Sequence, residues 1–409
     1  NSNGKMRTSN LNRLLRHTAP HRFLLLCLPF TASCSEGSVP EPCAELPTRT
    51  VLVYLAGDNN LEEIGRTPEL LRQGWKDTGS KCLIYYDAPQ AAPKLFALTI
   101  RHSDASSVLE TVEEYPEENS SSAGVFGRVL ADVVRKYPSD SYGLIFASHG
   151  SGWLPCGALS DPTRTIGDDR TPGTTGGARE MEITDFAAAI PDHQFDFIIF
   201  EACLMSGIEV AYELRNKTDY LLASSAELLV PGYAPVYPTA FQYLFDTSLG
   251  VPQALEKFAG SYFNYIDTRN GAYRSATQSI VYTREMDALA ILAGKTTGNT
   301  HGRWDDALLG KLQHFDRPGS YGDIPARPRY FDFGQYMAYL APERQADLDA
   351  LLRKTVVWKA ATPEFMAGYN GFTILTHSGL TTYIEQDEFP ELNAAYKKTA
   401  WWKATHVQK

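Results

Sequence analysis

Two residues in this chain of 409 have the types and settings for covalent chemistry, Cys203 and His149. A thiol attacks a carbonyl only as its thiolate, and an adjacent imidazole can take the proton. Each residue follows an apolar run that reads as a buried strand. Tyr142-Gly143-Leu144-Ile145-Phe146-Ala147 leads into Ser148-His149-Gly150, and Phe195-Asp196-Phe197-Ile198-Ile199-Phe200 leads into Glu201-Ala202-Cys203. Ligands in open parallel sheets gather beyond the carboxyl ends of the strands. Adjacent strands lie about 4.8 Å apart, so two such ends can bring their side chains together. The stretch Leu204 to Leu214 predicts a helix starting directly after Cys203, whose N-terminal field would favour a thiolate. The backbone N–H groups of Gly150 and Cys203 are candidates for an oxyanion hole, an effect worth about 10²–10³ in rate per donor. Taken singly, a cysteine after a strand is more often a small buried residue, and a strand-end histidine is commonly structural. The pairing is what points to acyl transfer.

The elements that must position these residues follow an α/β pattern with a largely parallel sheet. Thr50–Leu55, Lys81–Tyr86 and Tyr220–Ala223 add strands, and Lys94–Ile100 alternates as an antiparallel hairpin partner would. A helix is predicted from the cap-like Asn119-Ser120-Ser121 to Lys136, and a shorter one near Ile183–Ile190. After about residue 240 the pattern turns mostly helical, with one late strand pair expected between Ser279–Tyr282 and Phe372–Leu375. Between the two reactive residues, Pro155–Arg179 is rich in Gly, Pro, Thr and Asp and reads as a long exposed loop. Cys156 lies in it without a strand-to-helix setting and ranks well behind Cys203 as a nucleophile. Asp58 and Asn59 follow the first strand, where capping the next helix is the expected job.

Composition narrows the field. Apolar residues make up 43% and charged residues 21%, an ordinary globular balance. The net charge is −10 and no basic cluster stands out in the body of the chain, so nucleic acid is not an expected partner. No CxxC pair, zinc-type Cys/His spacing or calcium loop occurs, so neither a metal nor another cofactor is expected. A serine hydrolase is disfavoured, because no GxSxG elbow is present.

The N-terminus has the order of an export signal. Arg7, Arg13, Arg16 and Arg22 precede the apolar run Phe23–Phe30, too short to span a bilayer, and Thr31-Ala32-Ser33-Cys34 follows. This resembles a bacterial lipobox, which implies lipidation at Cys34 and a flexible stalk over 35–48. Contact with a membrane is expected only through that lipid, at the cell envelope, outer membrane or cell surface. Cys43, Cys82, Cys156 and Cys203 remain in the mature body, too scattered for a disulfide framework.

Three segments together resemble the clostripain-type (family C11) cysteine peptidases. Leu144–Trp153 is similar to their histidine motif, Phe197–Ser206 continuing through Glu209–Leu214 to their nucleophile motif, and Tyr54–Glu62 to their first strand and turn. The resemblance implies a caspase-like sheet over a catalytic core at 49–240, with 241–409 as a mainly helical part completing the sheet. It also implies endopeptidase action on proteins or peptides by a His149/Cys203 dyad without an obligatory third member; separately, a monomer is expected. Such peptidases cleave after Arg or Lys, with an aspartate two residues before the nucleophile. Here that position is Glu201, whose extra methylene changes its reach. Ser224 and Glu227 fall where caspase-like folds build pocket walls. Maturation by cleavage between the two motifs would use Arg164, Arg170 or Arg179. The competing expectation is a surface lipoprotein that keeps the fold for binding after losing activity.

Overall fold

The computed structural model describes residues 49–159, 166–170, 180–297, 306–320 and 325–406. The signal, the stalk and Cys34 lie outside these residues. All the described residues belong to one unit, Leu46–Lys409.

A nine-stranded sheet organises that unit. Its strands are β1 (Thr50–Ala56), β2 (Lys81–Asp87), β3 (Lys94–Ile100), β4 (Ser107–Glu114), β5 (Tyr142–Ala147), β6 (Phe195–Glu201), β7 (Thr218–Ala223), β8 (Thr277–Tyr282) and, after a two-residue β9 (Phe331–Asp332) outside it, β10 (Val356–Ala361). Their spatial order is β10-β8-β7-β6-β5-β1-β2-β3-β4. The five central strands, β7, β6, β5, β1 and β2, run parallel, and antiparallel strands flank them on both sides.

The parallel strands are near-continuous apolar runs because both of their faces are covered. Leu52, Tyr54, Phe146, Ile198 and Phe200 face one core with Phe126 and Val129 of helix α2 and Phe186 of helix α3. Val51, Val53, Ile145, Phe197 and Ile199 face the other, with Leu71 of helix α1, Tyr237 of helix α5 and Phe258 of helix α6. These helices span Thr67–Gly74 (α1), Ala123–Lys136 (α2), Ile183–Ala188 (α3), Tyr237–Ala240 (α5) and Val251–Asp267 (α6), with α4 at Ile208–Glu213. Ser122 caps α2, accepting a hydrogen bond from the Val125 N–H.

Two expectations change. Ser279–Tyr282 pairs with Val356–Ala361 (β10), whereas Phe372–Thr373 pairs with Glu364–Phe365 in a separate ribbon. The predicted helix from Leu204 begins only at Ile208 and is six residues long. Residues 202–206 form a turn, so no helix N-terminus adjoins Cys203.

Candidate active site

The sheet's strand order reverses at β1, with β2 on one side and β5, β6 and β7 on the other. That is where a crevice opens beyond the carboxyl ends of the strands. Ala147 pairs in register with Glu201. His149 and Cys203 therefore each stand two residues beyond a matched pair on adjacent strands. Both line one cleft of about 210 Å³, together with Leu61, Glu63, Glu201, Glu227 and Leu228. A second cavity, about 490 Å³, is lined by Asp332, Lys359 and His377 and holds no thiol.

The Cys203 turn is fixed by cross-links rather than by a helix. Leu204 adopts φ 61°, a left-handed conformation that costs a non-glycine residue about 1–2 kcal/mol. Such conformations cluster at functional sites, where the surroundings enforce them. Here the enforcing bonds are Leu204 N–H to Ala226 O (2.9 Å) and Ser206 N–H to Ser224 O (3.0 Å). The Cys203 sulfur receives the Leu228 N–H at 3.4 Å. The same sulfur lies 3.8 Å from Leu228 O, so the Leu228 backbone, which the sequence did not reveal, meets it with both a donor and an acceptor where a helix N-terminus was expected.

Gly150 packs directly against the turn that carries Cys203. A Cβ there would lie 2.7 Å from Cys203 O and 2.9 Å from the Ala202 methyl, so only glycine permits this approach. Gly150 and Cys203, the residues whose N–H groups are the candidate oxyanion donors, thus pack against each other. His149 is buried, and its Nε2 lies 2.7 Å from Asn60 Oδ1. Asn59 acts in its own turn, accepting the Leu61 N–H (2.8 Å) and donating to Ala56 O (2.8 Å).

Glu201 borders the cleft, and both of its oxygens are engaged. Oε1 accepts the Tyr233 N–H at 2.7 Å, and Oε2 accepts the Tyr237 hydroxyl at 2.5 Å. Gly232 follows the carboxylate closely: its φ is 60°, and a Cβ would come within 2.4 Å of Oε1. Glu227 lines the cleft but forms a two-pronged ion pair with Arg317 at 2.5 and 2.8 Å. Ser224 is displaced from the expected wall. It is buried, its hydroxyl meets Thr277 at 2.9 Å, and it does not line the cleft. Of the inter-motif arginines, Arg164 and Arg179 lie outside the described residues. Arg170 is exposed, and its N–H donates to Asp58 O at 2.8 Å.

Burial raises the Glu201 carboxyl to about 7, against the opposing pull of the Tyr237 hydroxyl and Tyr233 N–H. Burial likewise raises Glu209 in α4 to about 7, opposed by the Tyr383 N–H, its own backbone and the Thr382 hydroxyl. An acid that keeps its proton longer when folded makes the unfolded chain the first to ionise. The stability these two groups contribute therefore falls as pH rises from about 4.5 to about 7 and is level above that. A melting temperature that declines over this window is expected, with a shallower decline in Glu209→Gln. An unchanged decline in Glu209→Gln would remove this residue from the explanation.

A family model for the clostripain family, Peptidase C11, matches residues 53–292, more than half of the chain. The chain belongs to the clostripain family. Its three motifs all fall inside the matched segment. Clostripain from Hathewaya histolytica is 26% identical over 290 residues, covering 63% of this chain and 52% of that protein, so the chain spans about half the length of this relative. An inactive zymogen C11 protease from Parabacteroides distasonis is 29% identical, covers 90% of this chain and 100% of its own, and superposes with a TM-score of 0.72. A secreted C11 cysteine protease from Bacteroides thetaiotaomicron, solved with an irreversible peptide inhibitor, is 25% identical over 88% of this chain and 99% of its own, with a TM-score of 0.74. The caspase-like α/β architecture is shared with these clostripain-family structures.

Proposed function

We propose that this protein is a cysteine endopeptidase in which Cys203 is the nucleophile and His149 its base. The observation that carries the reading is the matched placement of the two residues at adjacent strand ends, lining one cleft. His149 takes the Cys203 proton, and the thiolate attacks the scissile carbonyl to give a tetrahedral oxyanion facing the Gly150 and Cys203 N–H groups. Collapse breaks the C–N bond, and His149 returns the proton to the departing amine. Water, activated by the same imidazole, then releases the acyl group and regenerates the thiol.

The preferred residue before the cut is basic. A carboxylate offers about four acceptor positions, and two at Glu201 are occupied, leaving capacity for an ammonium or guanidinium. Glu63 adds a second carboxylate to the cleft lining while pairing with Arg66 at 3.2 Å, and Glu227 keeps Arg317 as its partner. Residues 7–34 support export, with lipidation at Cys34 and 35–48 as a stalk, and the mature protein acts as a monomer on protein or peptide substrates. Among the described residues no helix is long and apolar enough to cross a membrane.

A peptide-library digest tests the reading. Wild type is expected to cut after Arg or Lys and Cys203→Ala to cut nothing. Equal cleavage by the two proteins would refute it. The relative from Parabacteroides distasonis is described as an inactive zymogen. Self-processing after Arg164, Arg170 or Arg179 is accordingly proposed here. Purified wild type should resolve into two fragments under denaturing conditions, whereas Cys203→Ala should stay whole. Two whole chains would end this proposal.

A further inference from the structure

We infer that Asn60 is a positioning residue for His149, fixing which ring nitrogen receives the Cys203 proton. The inference rests on the peptidase reading and adds to it a third member that the residue motifs do not announce.

Asn60 Oδ1 lies 2.7 Å from His149 Nε2. An amide oxygen can only accept, so Nε2 is the nitrogen that carries the proton in the resting state. A neutral imidazole has one N–H, which leaves Nδ1 with the lone pair that takes the thiol proton. When the ring becomes an imidazolium, the Nε2–H bond to the amide persists and strengthens as a charge-assisted bond. The ring therefore keeps its orientation through the proton transfer.

The fold supplies this contact deliberately. β1 and β5 are adjacent and in register, with Leu55 opposite Ala147, so the turn after β1 projects beside the turn that carries His149. Asn59 locks the first turn from within and, through Nδ2, also donates to Asp168 O at 3.0 Å. On the other side, Gly167 N–H donates to His149 O at 3.0 Å. Asn60 itself is exposed, whereas His149 is buried, so the amide reaches inward from the rim onto the ring. An amide is suited to this place because it does not titrate. The cleft already holds the carboxyls of Glu63, Glu201 and Glu227 and the thiol of Cys203 around the ring. A further carboxylate against Nε2 would raise the imidazole's proton affinity.

Steady-state kinetics of Asn60→Ala, Asn60→Asp and Cys203→Ala on a fluorogenic peptide ending in arginine decide the matter. Asn60→Ala is expected to lower kcat by about tenfold to a hundredfold, part of the roughly 10²–10⁴ that proton transfer contributes, with little change in KM. Asn60→Asp should recover most of that kcat near neutrality. It should also move the limb of the pH profile set by His149 upward by about one unit, a shift that a merely structural role would not produce. An Asn60→Ala enzyme with wild-type kcat and pH profile, beside an inert Cys203→Ala, would overturn the inference and leave the peptidase reading intact. Full activity in Cys203→Ala would overturn both.

Discussion

Cys203→Ala and His149→Ala should each reduce kcat for peptide hydrolysis by at least about 10⁴-fold, with substrate binding largely retained. Removing the nucleophile or base of a cooperating set costs nearly as much as removing the whole set, because neither works without the other. The double variant should therefore be no slower than either single one. Folding should survive. Cys203 occupies a turn whose fixing bonds run through backbone groups, Leu204 N–H and Ser206 N–H, which an alanine at 203 leaves in place. Steady-state kinetics with a melting curve on each variant provide the check. Multiplying losses in the double variant would contradict a shared proton-transfer step.

The second large effect is expected at Glu201. Glu201→Gln keeps an acceptor for the Tyr233 N–H but removes the negative charge beside the cleft. For a substrate with Arg before the cut, losing one partner of a desolvated charge pair costs about 2–5 kcal/mol, so kcat/KM should fall by about thirtyfold to a few thousandfold. A substrate with a neutral residue there should change little. In wild type the same logic gives a pH dependence. The Arg substrate gains as pH rises through about 7, where Glu201 ionises, and Glu201→Gln should abolish that gain. Parallel losses on both substrates would instead mean that Glu201 serves only to hold Tyr233 and Tyr237 in place.

Much of this arrangement was readable in the residues because the parallel strands carry their own signature. β1, β5 and β6 are near-continuous apolar runs, since each is largely buried on both faces. The opposite case is β4, Ser107–Glu114, a charged edge strand with little burial and therefore little pattern. β10 escaped because the helix Gln345–Thr355 runs straight into it, masking the change of period. The overextended helix after Cys203 has a tertiary cause. Leu204–Gly207 is apolar enough to continue α4 backwards. Its N–H groups go instead to Ala226 O and Ser224 O, and Ser206 O accepts the Thr381 N–H. Within the site, Cys203 and His149 were legible as residue types at strand ends. The Leu228 N–H was not, because a backbone group leaves no mark on the sequence. Asn60 lies within Tyr54–Glu62, where nothing in the residue pattern gives it a role, and its contact spans 89 positions, which only the pairing of β1 with β5 closes.

Iodoacetamide labelling of the intact protein, with modified cysteines mapped by mass spectrometry, tests the thiolate–imidazole pair most directly. At about pH 6 an ordinary thiol is less than roughly 1% ionised and reacts slowly. The expected result is fast modification of Cys203 at that pH, far ahead of Cys82 and Cys156, and loss of this advantage in His149→Ala. Cys203 reacting no faster than Cys156, at the same rate with or without His149, would contradict the account.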